Sequence, residues 1–223
     1  MLKNRTVQLM YQTIYCTLGL VGCVACFGIF DDIDNFRWDF YTYFTNLSNF
    51  LCLGVMIVAL VQTVQKKQDD FVKALPLLKF IGMLGIVLTF LVFNVMLAPA
   101  RDAQLNWRIG SICFHVILPI MYIADWFLFY ERKNTTWRYP IASISFPLGY
   151  AIFLFIHAAI LGFNSSILTP TGSVLIYPYF FVNLETQSVG GVLMWIAILS
   201  AAFALMGFIF YGLDRLGKKK IEK

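Results

Sequence analysis

Two side chains of this mostly apolar chain, Thr45 and His115, are suited to nucleophilic chemistry. A threonine hydroxyl becomes an effective nucleophile when a neighbouring base takes its proton, and a neutral imidazole is the usual base near pH 7. Thr45 stands at the start of a long apolar run, where the positive end of a helix would favour developing negative charge. We therefore expect Thr45 and His115 to form a nucleophile and its general base.

Five further polar side chains are candidates for binding a substrate or stabilising an oxyanion. Their amide, imidazole and phenol groups can donate hydrogen bonds to a carbonyl oxygen that gains charge, or orient the histidine. They are Asn46, Asn49, Asn94, His157 and Tyr179. Tyr179 belongs to the longest connection, about 164–189, and connections of this length are usually functional or disordered. Its apolar, aromatic centre predicts a segment that folds back over the pocket.

Structural roles are the alternative for the same groups. A polar stripe at helical spacing can hold one helix against its neighbours, and this stripe comprises Thr45, Ser48, Asn49 and Cys52. His115 precedes Pro119 by four residues, so the proline leaves the carbonyl of His115 without its helical donor and predicts a kink there. No third ligand accompanies the two histidines at a telling spacing, so we expect no metal and no other cofactor.

Six long apolar runs must position these groups. The hydrocarbon core of a bilayer is about 30 Å thick and needs about 20 helical residues to cross. The runs cover about 8–30, 43–63, 78–98, 109–130, 140–163 and 190–212. The chain of 223 residues is 60% hydrophobic and only 13% charged, and no soluble domain fits between the runs. We predict an all-α, six-transmembrane-helix bundle in which residues 1–223 form a single integral membrane domain.

The basic residues indicate how the bundle is oriented. Fourteen Lys and Arg residues fall in segments on one side of the runs and three on the other, and the excess marks the cytoplasmic side. Both termini are then cytoplasmic, which agrees with an even number of crossings. We expect a multi-pass protein of the plasma membrane. Because the positive charge follows topology, we expect the bilayer as its partner and no binding of nucleic acid.

In this orientation the candidate groups converge on one depth. Thr45 and His115 fall near the starts of two runs that lead inward, and Asn94 and His157 near the ends of two runs that lead outward. A polar side chain in a membrane needs a partner or a function, so we predict a polar cluster in the outer leaflet. Asp125 lies in the inner half of its run, where we interpret it as an interfacial or structural carboxylate.

Three stretches of the chain carry a resemblance to a known family. They are Tyr43-Phe44-Thr45-Asn46-Leu47-Ser48-Asn49, His115-Val116-Ile117-Leu118-Pro119 followed by Asp125-Trp126, and Tyr177-Pro178-Tyr179-Phe180. In this order, and over nearly the whole chain, they resemble the bacterial six-helix branch of the FAR-17a/androgen-induced-gene-like membrane proteins. The animal branch implies multi-pass hydrolases of fatty acid esters of hydroxy fatty acids. Those enzymes use an intramembrane threonine and a histidine without a metal, which by motif would be Thr45 and His115.

The residues and the resemblance together predict an intramembrane hydrolase that cleaves lipid esters with a threonine nucleophile and a histidine base. Its substrate would be a lipid with acyl chains lying between the helices. A membrane acyltransferase that uses the same dyad is a second interpretation, since only the acceptor differs. A non-enzymatic lipid-binding or transport protein is a third, although transport would need a polar path across the whole bilayer.

Overall fold

The computed structural model describes residues 3–30, 39–66, 74–100, 103–131, 133–163 and 176–216. Six helices in these ranges are apolar and long enough to cross a membrane. They are α1 (Arg5–Cys26), α2 (Phe44–Gln65), α3 (Pro76–Val95), α4 (Ile109–Leu128), α5 (Arg138–Ile160) and α6 (Val189–Arg215). The prediction of an all-α protein with six candidate membrane spans is confirmed. The cytoplasmic position of the termini stays a prediction.

Local capping groups set the limits of α1. The Asn4 side chain accepts a hydrogen bond from the amide of Val7 at 3.0 Å, which satisfies one of the amides that a helix start leaves without a partner. The helix ends at Cys26, two residues before Gly28, whose φ of 83° is left-handed. The apolar run continues beyond this turn. The predicted span 8–30 therefore differs from the helix by three residues at its start and four at its end.

Helix α2 packs between α1 and α3, and α4 contacts the same group. Glycines allow α1 to approach its neighbours closely. A Cβ on Gly19 would lie 2.7 Å from Leu53 of α2, and a Cβ on Gly22 would lie 2.5 Å from the Phe114 ring of α4. Small residues commonly serve such approaches between membrane helices. The four helices thus form the closed core against which the candidate site is built.

Helix α6 holds the start of α5 and the segment before it. A Cβ on Gly207 of α6 would lie 3.0 Å from the Pro140 backbone, so the two helices touch there. Pro140 occupies the first turn of α5, where the amide hydrogen that proline lacks would have no helical partner. Asp214 of α6 is fully buried and accepts hydrogen bonds from the amides of Lys133 and Thr135 at 3.0 and 3.1 Å. These bonds fix the α4–α5 connection to the last turn of α6.

Two neighbouring helices contain a π-helical turn. The π turn of α3 comprises Val92–Leu97 and continues two residues beyond Val95, and the π turn of α4 comprises Cys113–Ile117. A π turn inserts an extra residue into a helical turn and is frequent at functional sites. Asn94 and His115, two of the candidate residues, lie in these two turns.

A buried ion pair joins α3 to α4, close to the start of α3 and to the end of α4. The Lys79 ammonium bonds to the Asp125 carboxylate, and the two side chains are only 6% and 3% exposed. The ammonium also lies 3.6 Å from the sulfur of Met56 and 4.8 Å from the centre of the Tyr122 ring. Lys79 is one of the fourteen basic residues that the charge count places on the cytoplasmic side, whereas the structure buries its side chain inside the bundle. Asp125 accordingly has a structural partner inside the bundle.

Candidate active site

The first turn of α2 presents Thr45 beside the hydroxyl group of Tyr179. The Tyr179 oxygen lies close to the Thr45 side chain and to the backbone amides of Phe44 and Thr45, and each of these groups acts to lower the Tyr179 pKa. These amides belong to the start of the helix, where backbone N–H groups have no carbonyl partner within the helix. Tyr179 therefore takes the place of a conventional side-chain cap.

Aromatic packing holds Tyr179 over α2. Its ring is stacked on Phe181 with centroids 5.1 Å apart and lies 6.4 Å from the Tyr150 ring of α5. Burial raises the pKa of Tyr179 from 10.0 to about 12, although the hydrogen bond from Thr45 opposes the rise. The phenol therefore keeps its proton at neutral pH. The rest of the predicted cover, 164–175, lies outside the described residues.

The donors around the Tyr179 oxygen suit an oxyanion. Backbone amides at a helix start favour negative charge, and the amide of the nucleophile itself is a familiar member of an oxyanion hole. Here one of the two amides is that of Thr45. A substrate carbonyl oxygen that replaced the Tyr179 oxygen would lie against both amides and next to the Thr45 hydroxyl.

Asn46 and Asn49 donate to backbone carbonyls. Asn46 Nδ2 donates to the Phe40 carbonyl at 2.7 Å, and Asn49 Nδ2 donates to the carbonyls of Thr45 and Phe114 at 2.9 and 3.0 Å. An amide nitrogen carries two hydrogens, so both donors of Asn49 are engaged. Asn49 thus ties α2 to α4 one turn after Thr45. An oxyanion role for the two asparagines stays a prediction that requires these bonds to rearrange.

The π turn of α4 orients the His115 ring. The ring stacks on Phe93 of α3, with centroids 3.6 Å apart and planes inclined by 18°. Nδ1 lies 2.9 Å from the Ser111 carbonyl oxygen. Because a carbonyl only accepts, Nδ1 carries the proton in this hydrogen bond and the neutral ring has its lone pair on Nε2. Nε2 is therefore the nitrogen that can act as a base.

Asn94 supplies the donor that Pro119 lacks. A proline has no amide hydrogen for the carbonyl four residues earlier, which here belongs to His115. Asn94 Nδ2 donates to that carbonyl at 3.0 Å and to the Phe90 carbonyl at 2.8 Å. The partner that the sequence required for the His115 carbonyl thus comes from α3. As with Asn49, both amide hydrogens are engaged, so an oxyanion role for Asn94 stays a prediction.

His157 makes its polar contact at the entrance to α2. Its Nε2 lies 3.0 Å from the Tyr41 hydroxyl, and the two rings are 5.5 Å apart in an edge-to-face arrangement. Tyr41 belongs to the 3₁₀ turn Phe40–Thr42, which leads into α2. His157 therefore supports the turn before Thr45. Its predicted role in orienting His115 stays a prediction.

The structure brings the predicted residues together in two contacting groups. Tyr179, Thr45 and Asn49 form one group, and Asn94 and His115 form the other. Asn49 joins them, because its second hydrogen bond reaches the residue before His115. Asn46 and His157 bind the turn that precedes α2.

Sequence reasoning missed the groups that orient the histidine. Ser111 lies one helical turn before His115, so its carbonyl was a readable partner of the ring. Phe93 comes from another helix, and only the packing of α3 on α4 reveals it. Among the described residues, no three His, Cys, Asp or Glu side chains are grouped so as to hold a metal ion.

Comparison of the chain with family models, with curated proteins and with solved structures gave no match.

Proposed function

We propose that the protein is an intramembrane hydrolase of lipid esters, with Thr45 as nucleophile and His115 as base. The observation that carries the proposal is the first turn of α2, where the Thr45 hydroxyl and two backbone amides converge on the oxygen of Tyr179. A nucleophile and oxyanion donors thus occur within one helical turn. The resemblance to the FAR-17a/androgen-induced-gene-like proteins supports the same two roles.

Substrate binding would begin by displacing the Tyr179 oxygen from the two amides. The ester carbonyl oxygen takes its position, and the Tyr179 hydroxyl turns its proton towards that oxygen. The Thr45 hydroxyl loses its present hydrogen bond and turns to Nε2 of His115. Proton transfer requires these two groups to come within about 2.6–3.2 Å. The hydrogen bond that His115 Nδ1 donates to the Ser111 carbonyl leaves the lone pair of the neutral ring on Nε2, the nitrogen that the proposal requires as base.

The reaction then runs in two halves. Thr45 Oγ1 bonds to the carbonyl carbon while His115 takes the hydroxyl proton. The tetrahedral intermediate collapses, its bond to the alcohol oxygen breaks, and His115 gives the proton to the departing alcohol. Water attacks the threonine ester and gives a proton to His115. The fatty acid leaves as the Thr45 oxygen regains that proton.

The finer predictions of location belong to the same proposal. The protein would lie in the plasma membrane with both termini in the cytoplasm, which places the α2 start in the outer leaflet. The acyl chains of the lipid would stay in apolar surroundings while its ester meets the polar groups. This arrangement removes the cost of moving a long apolar chain into water.

The test is ester turnover by the purified protein in lipid nanodiscs. Thr45→Ala should abolish turnover and labelling by a hydroxyl-reactive lactone probe, and Thr45→Ser should retain the label. Thr17→Ala is the matched control, because Thr17 is an exposed threonine of α1. His115→Gln should lower turnover while leaving the protein folded. Unchanged turnover in Thr45→Ala would end the assignment of the nucleophile.

A further inference from the structure

An apolar groove of about 390 Å³ runs between α2, α3 and α5. Ligand sites in proteins typically have volumes of about 300–1,000 Å³ and mostly apolar walls. The walls come from two leucines of α2, from Leu78 and Ile81 of α3, and from the stretch 145–153 of α5. Ser145 is the polar side chain at one end. The groove therefore has the volume of a ligand site, and its apolar walls suit a hydrocarbon chain.

No side chain fills the centre of the α5 wall of the groove, because residue 149 is a glycine. Gly149 is exposed, and a Cβ built on it has no other atom within 4 Å. Phe146, Tyr150 and Phe153 surround this gap. The wall from 145 to 153 is about 12 Å long at 1.5 Å per residue. A groove of this shape, opening between membrane-spanning helices, is accessible to the acyl chains of the bilayer.

One end of the groove leads to the candidate site. The Tyr150 ring lies 6.4 Å from the Tyr179 ring and 5.2 Å from Phe44, and its hydroxyl donates to the Thr42 carbonyl at 2.7 Å. Phe44 directly precedes Thr45 in the first turn of α2. Tyr179 contacts both Tyr150 and Thr45, so a chain lying in the groove would have one end next to Tyr179 and the other near Ser145.

We propose that this groove binds the acyl chain of the ester and favours esters of long chains over esters of short chains. The inference rests on the proposed function for the identity of the ester, while binding of the chain itself depends only on the groove. The carbonyl of a bound ester would lie at the Tyr150 end and the methyl end would point towards Ser145. Chains longer than the groove would extend out between α2 and α5 into the bilayer.

Gly149→Leu tests the proposal, because the new side chain enters the groove without meeting backbone. Gly212→Leu is the matched control, since Gly212 of α6 is also exposed and also has open space at its Cβ. Two measurements are made on each variant in nanodiscs. One is kcat/KM for p-nitrophenyl butyrate and p-nitrophenyl palmitate. The other is photo-crosslinking by palmitic acid with a diazirine in the middle of its chain, mapped by mass spectrometry.

Crosslinks in the wild type are expected within 145–153 and at the facing leucines of α2. Gly149→Leu should lower their yield, and the palmitate-to-butyrate ratio of kcat/KM, by about tenfold, the effect of displacing about two buried methylenes. Gly212→Leu should change neither quantity. Crosslinks spread evenly over lipid-facing helices, or unaffected by Gly149→Leu, overturn the proposal. Full turnover by Thr45→Ala with crosslinks still in the groove overturns the proposed role of Thr45 as nucleophile and leaves the groove proposal standing.

Discussion

Replacing Asp125 with asparagine would leave the Lys79 ammonium buried without its counter-ion. Besides the uncharged oxygen of the new asparagine, the described contacts around Nζ are the sulfur of Met56 at 3.6 Å and the face of the Tyr122 ring, 4.8 Å from its centre. A thioether is a weak acceptor, and a cation–π contact contributes about 0.5–2 kcal/mol. Neither contact replaces a carboxylate that bonds directly to the ammonium.

The expected loss follows from the burial of both partners. Removing one partner of a buried ion pair costs about 3–5 kcal/mol, whereas replacing both by apolar residues of similar volume is often neutral. We therefore expect Asp125→Asn to lower the free energy of unfolding by about 3–5 kcal/mol. The double variant Lys79→Met, Asp125→Leu should recover most of this loss. Lys133→Met, at an exposed lysine, is the control and should change it by less than about 0.5 kcal/mol.

The assay is reversible unfolding in bicelles, followed by the fluorescence of Trp126, the buried neighbour of Asp125. The single variants Lys79→Met and Asp125→Leu form, with the double variant, a thermodynamic cycle that isolates the pair. A loss below about 1 kcal/mol in Asp125→Asn is the value of a solvated surface pair. That result would refute the reasoning, because it would mean that water reaches the ammonium.

Three other expectations concern the His115 carbonyl, a close helix contact and a buried phenol. Asn94→Ala should lower the free energy of unfolding by about 1–3 kcal/mol, because the His115 carbonyl loses a donor. The loss should shrink in the Pro119→Ala background, where residue 119 regains an amide hydrogen for that carbonyl. Equal losses in both backgrounds would contradict this. Gly207→Ala should lower the thermal midpoint by overpacking the α5 backbone, while Gly212→Ala, with open space at its Cβ, should not; the reverse order would be evidence against the contact. Because the pKa of Tyr179 is raised, its contribution to the free energy of unfolding is complete below about pH 10 and is lost as the pH rises towards 12. Tyr179→Phe should therefore flatten the pH dependence of the free energy of unfolding in this interval. An unaltered slope would exclude Tyr179 as the source of that dependence.

Hydropathy predicted the six helices but did not predict the residues at which they end. The apolar run of α6 predicted a span of 190–212, while the helix continues to Arg215. Its last turn carries Asp214, which hydropathy excludes but which the α4–α5 connection binds. A charged residue that caps another segment is invisible to a sliding average, because its partner lies far away in sequence.

The site was predictable where its contacts are local. The spacing of Thr45 and Asn49 by four residues placed both on one face, and the bond between Asn49 Nδ2 and the Thr45 carbonyl follows that spacing. Pro119 predicted that the His115 carbonyl needs an outside donor. That Asn94 supplies it depends on the register of α3 against α4, which the sequence does not encode locally. The pairing of Lys79 with Asp125 depends on the same register.

The π turn of α4 also determines which way the rest of that helix faces. An α-helix advances about 100° per residue, so the extra residue at Cys113–Ile117 sets the angular phase of everything that follows. Tyr122 and Asp125 meet α3 only in that phase. Deleting one residue of the turn would rotate the carboxylate away from the ammonium and towards the lipid. The geometry of the histidine and the ion pair, though at opposite ends of the bundle, is thus controlled by one insertion.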